Sequence, residues 1–200
     1  MRMRKYAGMI VIIVAVVALA LTYYFIMAKK NPQPAQPAPA ATTSEQLSPS
    51  DALPANGLTL TSPAFKDGGF IPQEYTCEGE AAQPELHISG VDPAARALLL
   101  WVHDPDAPMP GGYDHWILYD LATTTTVISI GYMKDADDPG KDYVAPCPPS
   151  GTHRYIFKLF SLRQPIAPSD PLNWNEVEVE ILQTALQGTK LTGLYKKLLN

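Results

Sequence analysis

The 200-residue sequence has only two cysteines, no internal repeat and few basic residues beyond its first segment. Residues 31–200 contain 10 basic and 20 acidic side chains, which is a formal net charge of −10. A nucleic-acid-binding protein needs a basic surface to displace counterions from phosphates. We therefore expect no nucleic-acid partner.

Motifs for metal-dependent or nucleophilic catalysis are also missing. The sequence has no His-Glu-x-x-His motif, and nothing around Ser150 resembles a nucleophile elbow. We therefore predict no catalytic residue, no metal site and no cofactor. The less favoured alternative is a metal-assisted hydrolase, whose ligands would be Asp104, Asp106, His115 and His153.

The two cysteines are Cys77 and Cys147. A disulfide between them is permitted if the domain lies outside the cytoplasm. The alternative is two separate thiols, because the sequence does not set the distance between the sulfur atoms.

One long hydrophobic run is present, at the N-terminus. Residues 7–28 form 22 consecutive positions without a formal charge, more than the roughly 20 that a helix needs to span a bilayer. Three basic residues precede the run and two follow it, which favours a cytoplasmic N-terminus and a C-terminal domain outside the cytoplasm. We predict a single transmembrane helix over residues 1–28 and a single-pass membrane localisation. The alternative is a cleaved signal peptide, which would give a secreted protein.

The rest of the chain divides into a linker and a folded domain. Residues 29–57 are rich in proline and alanine, a composition typical of an extended linker. The domain then covers residues 58–200 and has the pattern of a mainly β, antiparallel fold with peripheral C-terminal helices. Apolar patterns predict strands at 58–62, 97–103, 115–121, 127–130 and 155–162, and helices at 175–187 and 189–198.

Two loops carry polar residues at the ends of predicted strands. The first contains Asp104 and Asp106 in the sequence Asp-Pro-Asp-Ala-Pro, and His115 opens the strand that follows. The second is a proline-rich stretch that leads to His153 at the start of another strand. Because strand ends hold loop residues in place, we expect these side chains to face one another and form a site.

These motifs resemble those of the phosphatidylethanolamine-binding protein family, in particular its prokaryotic Raf kinase inhibitor-like branch. The resemblance rests on residues 104–108 with the His-Trp pair at 115–116, and on Cys-Pro-Pro-Ser-Gly-Thr-His-Arg-Tyr at 147–155. It implies two antiparallel sheets in a Greek-key arrangement, with a small cavity for a phosphate-like anion or a phosphorylated head group. Residues 84–88 and Ala145 depart from the family pattern. The residues that match the family's ligand site are Asp104, Asp106, His115, Pro148, His153 and Tyr155.

The expected function is that of a membrane-tethered binding module for a small anionic or zwitterionic ligand. A histidine can gain a charge-assisted hydrogen bond to a bound anion, and an aspartate beside it would orient the ring. A second form of this hypothesis is a partner protein that docks at the same cavity. The alternative that the resemblance implies is an inhibitor of a protease or kinase that acts through the same surface.

Overall fold

The computed structural model describes residues 49–132 and 140–197. These residues contain two 3-10 turns, eight strands and one α-helix. In chain order they are the turn Pro49–Ala52, β1 (Thr59–Thr61), β2 (Gly69–Phe70), the turn Gln73–Tyr75, β3 (Leu86–Ser89), β4 (Ala97–Asp104), β5 (Tyr113–Leu121), β6 (Val127–Ile128), β7 (His153–Leu162), α1 (Trp174–Thr184) and β8 (Ala185–Tyr195).

The strands form two sheets. The larger sheet has the order β2-β8-β7-β4-β5, and the smaller has the order β1-β3-β6. All neighbouring strands are antiparallel except β2 and β8, which run parallel. The prediction of a mainly β domain with two sheets is confirmed.

The central strands of the larger sheet are apolar on both faces, because both faces are covered. On β4, Leu100 and Val102 face the core that lies between the two sheets. The alternate residues Leu99 and Trp101 belong to a second apolar cluster, which also contains Val177 of α1. A strand covered on both sides reads as a continuous apolar run, as β4 does in the sequence.

The predicted helix at 189–198 is wrong, since residues 189–195 belong to β8. Leu191, Leu194 and Tyr195 have the spacing of a helix face, yet ten residues of β8 pair with β7. Gly193 allows this close packing, because a Cβ at that position would lie 2.5 Å from Cγ1 of Ile71. Pairing in the sheet thus overrides the local helical pattern. The other predicted helix exists as α1.

The transmembrane part of the fold prediction is corrected. The segment to which it was assigned, residues 1–28, lies outside the described residues. Within residues 49–132 and 140–197 no helix is long and apolar enough to cross a membrane. The helix α1 has 11 residues, against the roughly 20 that a span requires. The structure gives no support to the predicted single-pass localisation or to tethering through a helix, and neither is carried forward.

The first described residues pack against the larger sheet and α1. The backbone N–H of Ser50 donates a hydrogen bond to Oε1 of Glu178, at 3.2 Å. Nζ of Lys158, a β7 residue that is only 4% exposed, lies 2.8 Å from Oδ1 of Asp51. Leu53 packs on the apolar cluster beneath α1. A buried ion pair therefore attaches the turn Pro49–Ala52 to the centre of the sheet.

We expect Asp51→Ala to lower the free energy of unfolding by about 3 kcal/mol, because it leaves the Lys158 ammonium buried without its carboxylate. The double variant Asp51→Ala/Lys158→Met should lose much less, since no buried charge then remains. Urea denaturation of both variants measures this difference. A loss below about 0.5 kcal/mol for Asp51→Ala would contradict the buried ion pair.

Candidate functional site

A cavity of about 280 Å³ opens where β4, β5 and β7 meet the proline-rich loop. Five of the six residues predicted as ligand-binding line it, and the sixth, Asp106, does not. The lining residues are Asp104, Ala107, Pro108, Met109, Tyr113, His115, Val144, Ala145, Cys147, Pro148, Pro149, His153 and Tyr155.

Asp104 and His153 form a buried pair at the floor of this cavity. Asp104 ends β4 and His153 begins β7, and they are 3% and 7% exposed. Nδ1 of His153 donates to Oδ2 of Asp104, at 2.7 Å. Oδ1 of Asp104 accepts the backbone N–H of Asp106, at 2.8 Å, a bond that closes an Asx turn. One carboxylate therefore holds both the imidazole ring and the loop that follows β4.

His115 reaches the cavity through a β-bulge. Val102 of β4 lies opposite Trp116 of β5, whereas the next residue, His103, lies opposite Asp114. His115 is therefore an extra residue on β5 at this point.

The bulge decides which way the His115 ring points. In a regular strand it would alternate in phase with Ile117 and Tyr119, which pack in the cluster beneath α1. Instead His115 lines the cavity on the opposite face of the sheet. The sequence pattern gave no signal for this bulge.

The ring of His115 is held by the backbone of the proline-rich loop. Its Nδ1 donates to the carbonyl oxygen of Val144, at 2.6 Å, and the N–H of Val144 donates to the carbonyl oxygen of His115, at 2.7 Å. Because Nδ1 carries the proton, Nε2 is left for a ligand. Burial lowers the pKa of His115 below its ordinary value of 6.5, although the bond to Val144 and the charge of Asp104 oppose the shift. The ring is thus neutral at neutral pH, with Nε2 as an acceptor.

The hydroxyl of Tyr155 is a buried polar group without a hydrogen-bond partner among the described residues. Tyr155 is 1% exposed, and its ring meets that of His115 edge-on, with 5.0 Å between the ring centroids. Burial and the charge of Asp104 raise the pKa of Tyr155. The nearby backbone N–H of Cys147 partly offsets this rise, although its geometry does not make it a hydrogen-bond partner of the hydroxyl. The hydroxyl therefore stays protonated and can donate to a ligand oxygen.

Asp106 binds Arg154 instead of facing the cavity. Its two carboxylate oxygens accept Nε and Nη2 of Arg154, at 2.9 and 2.8 Å, and Oδ2 also accepts the backbone N–H of Arg154. These hydrogen bonds hold the pKa of Asp106 below its usual value. Asp106 thus fixes the loop after β4 against β7. Sequence reasoning missed Arg154, although it directly follows His153 in the matched motif.

A disulfide fastens the outer wall of the cavity. Sγ of Cys77 and Sγ of Cys147 are 2.11 Å apart, so the two cysteines are joined and are not separate thiols. The N–H of Cys77 also donates to the carbonyl oxygen of Pro146, at 3.1 Å. Pro148 follows directly and forms part of the wall. The proline-rich loop is therefore tied to the segment around residue 77.

The mouth of the cavity is more apolar than its floor. Met109 and Val144 line it and are 49% and 38% exposed. Nζ of Lys141 lies 3.9 Å from the ring centroid of Tyr113, another lining residue. Sequence reasoning did not single out these rim residues, because their types carry no chemical signature. Within residues 49–132 and 140–197, no group of three or more His, Cys, Asp or Glu side chains is arranged to hold a metal ion.

Comparison with known proteins gives a consistent result. The family model described as Phosphatidylethanolamine-binding protein matches residues 61–196. A UPF0098 protein of Chlamydia pneumoniae is 35% identical over 149 residues, which cover 70% of this chain and 99% of that protein. A UPF0098 protein of Archaeoglobus fulgidus is 40% identical over 159 residues, 72% of this chain, and the match spans only 52% of that protein's length.

Two solved structures share the fold. A phosphatidylethanolamine-binding protein homologue from Chlamydia trachomatis superposes with a TM-score of 0.65 at 30% identity, and the match covers 72% of this chain and 100% of that one. The Escherichia coli protein YbcL superposes with a TM-score of 0.62 at 22% identity, over 71% and 99% of the two chains. At that identity the second likeness concerns the fold alone.

The lowered pKa of His115 makes stability depend on pH. His115 takes up a proton more readily in the unfolded chain than in the folded one. The free energy of unfolding therefore falls as pH drops below about 6.5, by at most about 1.4 kcal/mol per pH unit. The loss stops below the folded-state pKa. We expect His115→Gln to reduce this dependence in denaturation curves between pH 7 and 5.

The matched control is His87→Gln. The side chain of His87 is 48% exposed and lies outside the cavity. This control should keep the wild-type dependence on pH. If the stability of His115→Gln depended on pH as that of the wild type does, the neutral His115 ring would not contribute to this dependence.

Proposed function

The chain belongs to the phosphatidylethanolamine-binding protein family, and from this membership and the geometry of the cavity we propose that it binds a phosphate-like anion or a phosphorylated head group. Two histidines and one tyrosine converge on a space of about 280 Å³, which suits a compact head group.

The observation that carries the proposal is the unpaired hydroxyl of Tyr155. A buried hydroxyl without a partner costs about 1–3 kcal/mol, and its position between His115 and His153 lets a ligand oxygen satisfy it. Both histidines use Nδ1 for a protein acceptor, which leaves both Nε2 atoms for the same ligand. We propose that these three side chains contact one tetrahedral oxyanion.

Charge sets the protonation state in which the anion binds. Asp104 places a carboxylate beside the site, where it accepts a hydrogen bond from Nδ1 of His153, so an anion binds there best when it brings a proton with it. The neutral His115 offers Nε2 as an acceptor, which matches the P–OH group of a singly protonated phosphate. If that proton moves from the phosphate to Nε2 of His115, the total number of protons in the complex stays the same. Binding therefore selects the more protonated forms of site and ligand.

Binding fits the cavity better than catalysis does. Its lining contains no serine, threonine, lysine or free cysteine that could act as a nucleophile. The hydroxyls that do line it belong to Tyr113 and Tyr155, and burial keeps the Tyr155 hydroxyl protonated. We therefore propose a binding role for the site. Inhibition of a protease or kinase, metal-assisted hydrolysis and a protein partner at this surface stay predictions.

We expect Tyr155→Phe to bind inorganic phosphate and phosphoethanolamine more weakly, by about 5- to 10-fold, because one hydrogen bond to the ligand is lost. The ligand-free variant should be more stable than the wild type, since an unpaired buried hydroxyl is removed. Titration calorimetry and thermal unfolding measure the two effects.

The matched control is Tyr119→Phe. The hydroxyl of Tyr119 donates to the carbonyl oxygen of Pro171 on the other face of the sheet. This variant should lose stability and keep its affinity, the reverse of Tyr155→Phe. Equal affinity in Tyr155→Phe and the wild type would refute the assignment of the hydroxyl as a ligand donor.

We expect the affinity for a phosphate monoester to fall as pH rises from 6 to 8. The second pKa of such an ester is about 6, so the singly protonated form becomes about tenfold scarcer with each further pH unit. Calorimetry in two buffers of different ionisation enthalpy should show proton uptake on binding. An affinity that stays constant over this range would exclude the protonated complex.

A further inference from the structure

A second cavity, of about 240 Å³, lies on the other face of the larger sheet. It is enclosed by the turn Pro49–Ala52 and the residues just after it on one side, and by β7 and β8 on the other. Lys158 and Phe160 form its floor on β7, and they alternate with Phe157 and Leu159, which face the core between the sheets. The two cavities are thus separated by the sheet itself.

Two lysines lie side by side in this second cavity. Lys158 of β7 is directly opposite Lys190 of β8 in the sheet register. Directly opposed residues of neighbouring antiparallel strands have Cβ atoms roughly 5 Å apart, and like charges in this position repel. An anion between the two ammonium groups would remove the repulsion.

The protein supplies only part of that negative charge. Nζ of Lys158 is 2.8 Å from Oδ1 of Asp51 and 4.3 Å from the ring centroid of Trp101. Asp51 is the only acidic residue that lines the cavity, and Lys190 has no ion pair among the described residues. Two ammonium groups and one carboxylate leave a formal charge of +1. This charge stands out because residues 31–200 carry a net charge of −10.

Lys158 also has hydrogen-bonding capacity left over. An ammonium group has three N–H donors, and within the described chain Asp51 is the one acceptor that the Lys158 ammonium reaches. The side chain is 5% exposed, so bulk water does not readily satisfy the remaining donors. The oxygens of a bound anion would do so.

Part of the cavity wall is apolar, although Ser50 and Thr189 add polar side chains to it. Leu53 and Phe160 line it, and both pack closely on Gly188. A Cβ on Gly188 would lie 2.9 Å from Cβ of Leu53 and 3.3 Å from the ring of Phe160. A ligand here therefore meets charge at one end and hydrocarbon at the other.

We propose that this second cavity binds a small organic monoanion, namely a short-chain carboxylate. Its carboxylate lies between Lys158 and Lys190, and its hydrocarbon part packs against Leu53 and Phe160. A single negative charge matches the formal charge of +1. The site is independent of the cavity that contains Asp104 and His153.

Heteronuclear NMR of the ¹⁵N-labelled full chain tests the proposal, with acetate, butyrate and the uncharged butyramide as probes. Butyrate should shift the backbone amide signals of Gly188 and Lys190 and saturate the effect. It should bind more tightly than acetate, by up to about fourfold for each methylene that becomes fully buried. Butyramide should cause no saturable shift. Equal effects of butyrate and butyramide, or no effect of butyrate, would overturn the proposal.

Variants separate this site from the first one. Lys190→Gln changes an exposed residue and should weaken butyrate binding at least fivefold, whereas Lys196→Gln, at the end of β8, should not. Lys158→Met should abolish binding, and if that variant does not fold, Lys190→Gln decides. His153→Ala should keep butyrate binding even where phosphate binding is lost. Unchanged butyrate affinity in Lys190→Gln would refute the site.

Discussion

The Asp104–His153 hydrogen bond is the interaction on which the candidate site depends. It joins the end of β4 to the start of β7, two strands whose other residues are mostly buried. The buried carboxylate has both its oxygens occupied, one by the imidazole and one by the loop backbone. A buried charge is tolerated only when it is satisfied in this way. The polar floor of the cavity is therefore a continuation of the sheet, held by strand pairing on both sides.

The alternation of side chains along β7 supplies residues to both cavities. His153 and Tyr155 face one side of the larger sheet, while Lys158 and Phe160 face the other. Each side is closed by a different peripheral segment: the proline-rich loop covers the first, and the turn Pro49–Ala52 covers the second. A single rigid strand thus places two chemically different sets of groups. On the second side a buried lysine takes the place that an apolar residue would normally occupy.

The sequence predicted the main strands, because apolar runs are local features. Five of the six candidate residues lie at one cavity, because the two loop motifs that contain them are also local features. Two kinds of error came from interactions between distant segments. Asp106 turns to Arg154, 48 residues away, and β8 has a helical apolar pattern that strand pairing overrides. The bulge that directs His115 into the cavity depends on register between β4 and β5, which no local pattern encodes. The lysine pair was also invisible, since Lys158 and Lys190 become neighbours only through the sheet.

The disulfide between Cys77 and Cys147 has a consequence for the order of assembly. It closes a loop with a sequence separation of 70, which contains Asp104 and His115 but excludes His153 and Tyr155. Nine of the 13 lining residues therefore belong to a covalently closed ring, and the other four follow it in the chain, two of them on β7. Such long-range pairings form slowly, because the chain must close large loops before it gains their contacts. The complete cavity can exist only once β7 has docked, so a chain that ends before β7 lacks His153 and Tyr155.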